Sequence, residues 1–321
     1  MTCKIGGLLE GAPNAGRAIF IGECMIELSD FASVGDRALI GVAGDTLNAA
    51  IYFGQERTPQ QFIEVSYLTV LGQDRLSDMM VSFIEANGVS SRLITRHPDR
   101  VPGLYSIECN DDGDRSFRFW REKSAARTLF QDGIQEMEIL QEFSLIYVSG
   151  ITLAILPVDV RFALIDMCRI LKERGHVVVF DSNYRKSLWK NVGEAKTTID
   201  AMWCATTVAL PSFDDETAMW PGQAADEVMS RISDFGVNEV VLKDGSTGPW
   251  IKIDGNVQRL EYEPVTKVVD TTAAGDSFNG AYLSARCRGE TIAASCAAGH
   301  RLASKIVCQS GAIVPAERNR A

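Results

Sequence analysis

The chain has 321 residues, 46% of them hydrophobic, with 42 acidic against 32 basic side chains and a formal net charge of −10. That length buries a large core, as one big α/β domain or two smaller ones, and the acidic balance excludes the basic stripe that a nucleic-acid surface needs. No apolar run approaches membrane-spanning length, and the first sixteen residues lack the continuous apolar segment of a secretory signal, so a soluble, cytoplasmic chain without a membrane partner is expected.

Residues 1–17 read as a loose N-terminal extension, and 18–315 as a single domain. Residues 18–23 form a strand buried on both faces, and 24–29 continue it with alternation. In the run from Gly41 to Ile51 a strand end gives way to a helix, with Asp45 as its N-cap. Residues 66–71 are a strand, and 74–87 a helix with Leu76, Met79, Met80, Phe83 and Ile84 on one stripe, stopped by Gly88. From 101 to 121 the pattern changes to short alternating strands around a turn at 110–114, a hairpin expected to act with 23–43 as a lid.

Doubly wound units then resume. Residues 145–148 form a strand, Pro157 opens a helix whose Val160, Leu164, Met167 and Leu171 face the sheet, and 176–180 form the next strand. That strand delivers Asp181, Ser182, Asn183, Tyr184 and Arg185 at its C-terminal end, the rim where open α/β sheets bind ligands. Residues 207–210 and 239–242 are further strands. They lead into a helix start at Ser212–Glu216 and into the loop Lys243-Asp244-Gly245-Ser246-Thr247-Gly248. A hairpin at 250–260, turning at Asp254-Gly255, follows, and 291–307 is an Ala-rich helix. Alternating strands and helices give a three-layer α/β core with one rim of loops.

The eight cysteines are scattered without C-x-x-C spacing and are expected to be reduced. His97, His176 and His300 stand apart from any Cys or carboxylate cluster and read as structural rather than zinc ligands.

The chain is organised around Val269-Asp270-Thr271-Thr272-Ala273-Ala274-Gly275-Asp276-Ser277. Small residues open an amphipathic helix there, so outward amides and the positive end of the helix dipole suit a phosphate. Asp276 in the first turn is either a helix cap or the group that takes a proton from a hydroxyl being phosphorylated. There is no Walker-type loop and no protein-kinase motif set.

The run Asp270-Thr271-Thr272-Ala273-Ala274-Gly275-Asp276 resembles the D-T-x-G-A-G-D signature of the ribokinase-like carbohydrate kinases. The resemblance extends from about residue 18 to 313. It implies a ribokinase-like three-layer α/β/α core with a small β lid, with Asp276 as catalytic base and Ala273, Ala274 and Gly275 as the anion hole. Ala273 replaces a family glycine, and a negative φ is expected there, at which a methyl costs little. Gly44, Asp45 and Asn48 match the family's sugar-binding hinge segment, with Ala43 in place of its first glycine. Lys243, Gly245 and Gly248 match its nucleotide loop, and Asn183 and Ser212 complete the implied ATP site. Ser212 and Asp215 stand where the family shows N-x-x-E, so Asp215 is expected to act on Mg²⁺ through water.

The stretches 115–126 and 181–189 resemble the 2-keto-3-deoxygluconate kinases within that family. This implies that Tyr105, Phe119, Arg121 and Arg185 face the substrate. Two guanidinium groups converging on one site suit a carboxylate, which a neutral sugar lacks. The implied activity is ATP-dependent phosphorylation of the primary hydroxyl of 2-keto-3-deoxygluconate, with ATP and Mg²⁺ as cofactors and room for a monovalent cation. Two alternatives stay open: a kinase for a neutral sugar such as fructose or ribose, and a sensing module that kept the fold and lost turnover. A homodimer that covers the lid's strand edges is also expected.

Overall fold

The computed structural model describes residues 7–29, 38–58, 62–109, 115–253 and 255–314. The turn expected at 110–114 and Asp254 of the second hairpin lie outside them.

The chain begins with β1 (Arg17–Ile21), β2 (Met25–Ser29), β3 (Leu39–Ala43) and α1 (Asp45–Gln55). After these come β4 (Glu64–Leu71), α2 (Arg75–Ala86), β5 (Ser90–Arg96), β6 (Gly103–Cys109) and β7 (Arg115–Trp120). The second half holds β8 (Leu145–Ser149), α3 (Gly150–Ile155), α4 (Val158–Glu173), β9 (Val177–Asp181), α5 (Val192–Cys204) and β10 (Val208–Ala209). It ends with α6 (Phe213–Met219), α7 (Ala225–Asp234), β11 (Glu239–Leu242), β12 (Trp250–Ile253), β13 (Asn256–Arg259), α8 (Ala274–Cys287) and α9 (Ile292–Ile306).

Nine strands form one sheet in the order β13-β12-β11-β10-β9-β8-β1-β4-β5. It is parallel from β11 to β5, with the antiparallel β12–β13 hairpin at one edge. Successive residues of β1 enter opposite cores. Ile19 and Ile21 pack with α3, α4, α5 and α7, and Ala18 and Phe20 with α1, α2, α8 and α9. Apolar residues on both faces of a strand require helices on both sides, which makes the three layers. Strand order reverses between β1 and β8, and that reversal opens a crevice at the carboxyl ends of the strands.

The strand expected to run from residue 18 to 29 is two strands in two sheets. The chain leaves the large sheet at Gly22-Glu23-Cys24, and β2 joins a separate four-stranded sheet, β3-β2-β6-β7. Periodicity misses this break because the apolar pattern runs through it; only the buried Glu23 interrupts it. The N-terminal segment also departs from a loose extension over its described part. Leu9 is fully buried in the core beneath α8 and α9, and Asn14 donates to the Gln141 carbonyl at 2.8 Å. In α2, Asp74 caps the helix by accepting from the amides of Leu76 and Ser77. Met80 and Ile84 are buried, and Leu76, expected on the same stripe, is exposed. The sequence pattern did not mark β5, α5 or α7; β5 is an edge strand with no alternation of burial.

Candidate active site

A cavity of about 810 Å³ opens on the rim at the carboxyl ends of the parallel strands. One wall is the core rim: the start of α1, the ends of β9 and β11, the start of α6 and the first turn of α8. The other is the small sheet, through Met25, Ala43, Tyr105, Phe117 and Phe119.

The first turn of α8 is the centre. Its N-cap is Ala273, at φ 60° and ψ 12°. The expected negative φ is therefore wrong, and the methyl sits in the left-handed region at a cost of about 1–2 kcal/mol. In partial return that methyl packs on a cluster of Met25, Ala43, Tyr105, Ile107 and Ala312, which ties the turn to the small sheet. The left-handed residue lets the Ala274 amide close on the Thr271 carbonyl at 3.2 Å, while Asp270 accepts the Thr272 amide at 2.9 Å. Ala274 is thus engaged in the turn and leaves the expected anion hole. The amides of Gly275 and Asp276 have no partner among the described residues, as a helix start dictates.

Asp276 lies half-buried on the cavity floor, and Asn48 donates to its Oδ2 at 2.9 Å. The same Asn48 accepts the Gly44 amide at 3.3 Å, which fixes its orientation. Burial first, then the charge of Asp45, push the Asp276 carboxyl up to about 7; Asp181 adds to this, and Asn48 and Lys243 oppose it. Gly44, rather than Asp45, caps α1. A Cβ at Gly44 would lie 2.3 Å from the Glu23 carbonyl oxygen, so only glycine fits. Asp45 opens the helix, and its carboxylate accepts from Asn183 at 2.8 Å. Burial raises Asp45 too, against hydrogen bonds from Ser149 and Asn183.

The two arginines, alike in sequence, are placed differently. Arg185 is 52% exposed in its side chain, borders the cavity and meets Asp215 at 3.2 Å. Arg121 is 7% exposed and is spent on Glu23, a fully buried carboxylate on the β1–β2 link, which it meets through Nε at 2.8 Å and through Nη2. It is not among the cavity-lining residues. Tyr105 lines the cavity, donates its hydroxyl to Glu27 and stacks on Phe119 at 5.6 Å.

On the opposite rim, Lys243 donates to Asp181 at 2.6 Å and to Asn279 at 3.1 Å. Ser212 caps α6 by accepting the Asp215 amide at 3.2 Å. Burial pushes the Asp215 carboxyl up, against the nearby Arg185. Gly245, at φ 55°, borders the cavity. Gly248 does not; its glycine is required because a Cβ would lie 1.8 Å from the Leu260 carbonyl oxygen. Among the described residues no group of three His, Cys, Asp or Glu side chains could hold a metal ion.

The profile of the pfkB family carbohydrate kinases matches residues 16–319. The chain belongs to this family. It is 40% identical over 303 residues to a 2-dehydro-3-deoxygluconokinase of Dickeya dadantii (strain 3937), with 92% of this chain and 96% of the relative covered. Its fold matches the PfkB protein from Polaromonas sp. JS666 at a TM-score of 0.80 and 20% identity, over 96% of this chain and 100% of the other. A fructokinase with bound ATP from Xylella fastidiosa matches at 0.75 and 19%, over 92% and 94%.

In this pfkB-family kinase the structure brings Gly44, Asp45, Asn48, Tyr105, Phe119, Asn183, Arg185, Ser212, Asp215, Lys243, Gly245 and Asp276 to one cavity, and leaves Arg121 and Gly248 out of its lining. Sequence reasoning placed Asp181 on the rim without a partner, and missed Glu23, Glu27 and Asn279 as members of the site's network. Glu23 and Glu27 carried a readable signal, since carboxylates inside an otherwise apolar strand pattern need buried partners.

Proposed function

We propose that this carbohydrate kinase transfers the γ-phosphoryl group of Mg·ATP to the primary hydroxyl of 2-keto-3-deoxygluconate. The observation that carries the substrate class is the half-exposed Arg185 guanidinium on the wall of the cavity that has Asp276 at its floor. A guanidinium fork there matches a sugar carboxylate, and Asp215 holds it until substrate arrives. Asn48 orients the Asp276 carboxylate toward the acceptor hydroxyl. An ordinary alcohol has a pKa of roughly 16, far above Asp276, so the proton moves late, as the oxygen bonds to phosphorus. The Gly275 and Asp276 amides and the helix dipole offset charge on the γ-phosphoryl oxygens. Asp215, beside the nucleotide side of the cavity, would hold the Mg²⁺ of Mg·ATP through water, and the ion would supply offsetting charge to the phosphates. Gly245, Ser212, Asn183 and Lys243 line the nucleotide side.

The pairing of Arg121 with Glu23 favours a second reading. With one guanidinium already neutralised, a neutral sugar is the competing acceptor. A panel of acid and neutral sugars, read by ADP release, separates the two. Turnover of 2-keto-3-deoxygluconate alone supports the first, and equal or better turnover of fructose or ribose supports the second.

A further inference from the structure

The small sheet is joined to the core by passages of chain at residues 22–24, 43–45, 97–102 and 121–124. Glu23 stands where they meet. Its carbonyl oxygen would lie 2.3 Å from a Cβ on Gly44, in the second passage, and its Oε1 2.8 Å from a Cβ on Gly103, which follows the third. Its Oε2 accepts from Nε, at 2.8 Å, and from Nη2 of Arg121, the first residue of the fourth. The third and fourth passages are tied in turn, since the Ala125 amide donates to the Val101 carbonyl at 2.9 Å. Both charged groups are out of water: the Glu23 side chain is fully buried and that of Arg121 is 7% exposed. Oε1 of Glu23 has no hydrogen-bond partner among the described residues.

Stability alone does not account for such a pair. The desolvation of two charges roughly cancels their attraction, and apolar residues of the same volume often serve as well or better. A buried oxygen without a partner adds to the cost. What charge-assisted bonds from one guanidinium do supply is a fixed distance and direction between the passages that carry the two groups. That direction reaches the cavity, because the Arg121 guanidinium lies 5.9 Å from the centre of the Phe119 ring, which lines the cavity and stacks on Tyr105. We propose that the Glu23–Arg121 pair is the pin of a hinge between the core and the small sheet. Both are positioning residues, which set the angle of the sheet over bound sugar and so keep water out of the site. The proposal rests on the kinase reading and is independent of which sugar is the acceptor. With the pin gone, water competes with the sugar. Its oxygen bonds to the γ-phosphorus as the bond to ADP breaks, and its proton passes to Asp276, leaving ADP and inorganic phosphate.

The test compares wild type, Arg121→Met and the double variant Glu23→Gln with Arg121→Met, as full chains, with ADP and sugar phosphate counted separately at saturating Mg·ATP. The double variant leaves no buried charge unpaired, so its midpoint in urea is expected to stay nearer to wild type than that of Arg121→Met. Its kcat/KM for the sugar is expected to fall roughly 10- to 100-fold, and its ADP to exceed sugar phosphate at least about twofold. Spin labels on unnatural side chains at the exposed Leu39, in the small sheet, and Val192, at the start of α5, are expected to show a broader spread of distances in the double variant. An unchanged spread, or ADP still equal to sugar phosphate in the folded double variant, overturns the proposal, since a pair that only stabilises the fold gives that result. So does a rise in KM for the acid sugar in Arg121→Met with ADP and sugar phosphate equal, which would make Arg121 a direct contact to the substrate. If wild type phosphorylates no sugar, the kinase reading fails, and the label distances alone decide for or against the pin.

Discussion

On the core side of the cavity, Lys243, Asp181 and Asn279 are tied to one another, and Asp276 to the buried Asn48, before any ligand arrives. On the side of the small sheet and the outer rim, Phe117, Phe119 and Arg185 stand half-exposed, the two rings against Tyr105 and the guanidinium against Asp215. The contrast separates two tasks. Groups that meet developing charge are preorganised, which avoids rearrangement at the moment of transfer. Groups that meet the sugar stay free to close on it and exclude water. Ala273 joins the two sides, since its methyl packs on the small-sheet cluster while its left-handed backbone shapes the phosphate turn.

The hardest blow to the core side is Asp276→Asn. It is expected to lower kcat by roughly 10²–10⁴-fold with KM values nearly kept, because the proton acceptor is lost and the shape is not. Steady-state kinetics check this, and a loss below tenfold would remove Asp276 from the role of base. The same carboxylate sets the pH dependence. It works ionised, and it titrates near 7 rather than near 4. So kcat/KM should be flat above about pH 7 and fall roughly tenfold per unit below it; a rate still flat at pH 5 contradicts the assignment.

The two arginines sharpen the comparison from the other side. Arg121→Ala leaves Glu23 buried without its cation, and unfolding in urea should show a loss of about 3–5 kcal/mol. Arg185→Ala leaves an exposed position, so stability should hold while KM for the acid sugar rises roughly 10- to 100-fold and KM for ATP hardly moves. Equal behaviour of the two variants would erase the distinction. The smallest effect is expected for Ala273→Gly, at the seam. Relief of the left-handed alanine, about 1–2 kcal/mol, is offset by the extra chain entropy of glycine, about 0.5–1, and by the lost methyl contact, about 0.8. Thermal unfolding should therefore shift by less than about 1 kcal/mol, and a large loss would mean the methyl contact dominates.

Much of this was legible in the chain. Small residues before Asp276 forecast a helix start open to an anion, and polar clusters after apolar strands forecast the rim, because both depend on local chemistry. What depends on distant partners was not. Arg121 meets Glu23 from 98 residues away, and Lys243 meets Asp181 from 62, so neither pairing has a spacing to read. The sign of φ at Ala273 is set by the Thr271–Ala274 turn and the small sheet together, against the preference of alanine itself. The break between β1 and β2 was hidden for a similar reason: buried strands in two different sheets present the same apolar surface to the sequence.

The most direct measurement is kcat/KM of the unmodified protein for 2-keto-3-deoxygluconate against fructose and ribose at saturating Mg·ATP. A carboxylate held by the Arg185 guanidinium predicts a preference of at least roughly 10- to 100-fold for the acid sugar. Parity, or a preference for a neutral sugar, would contradict it.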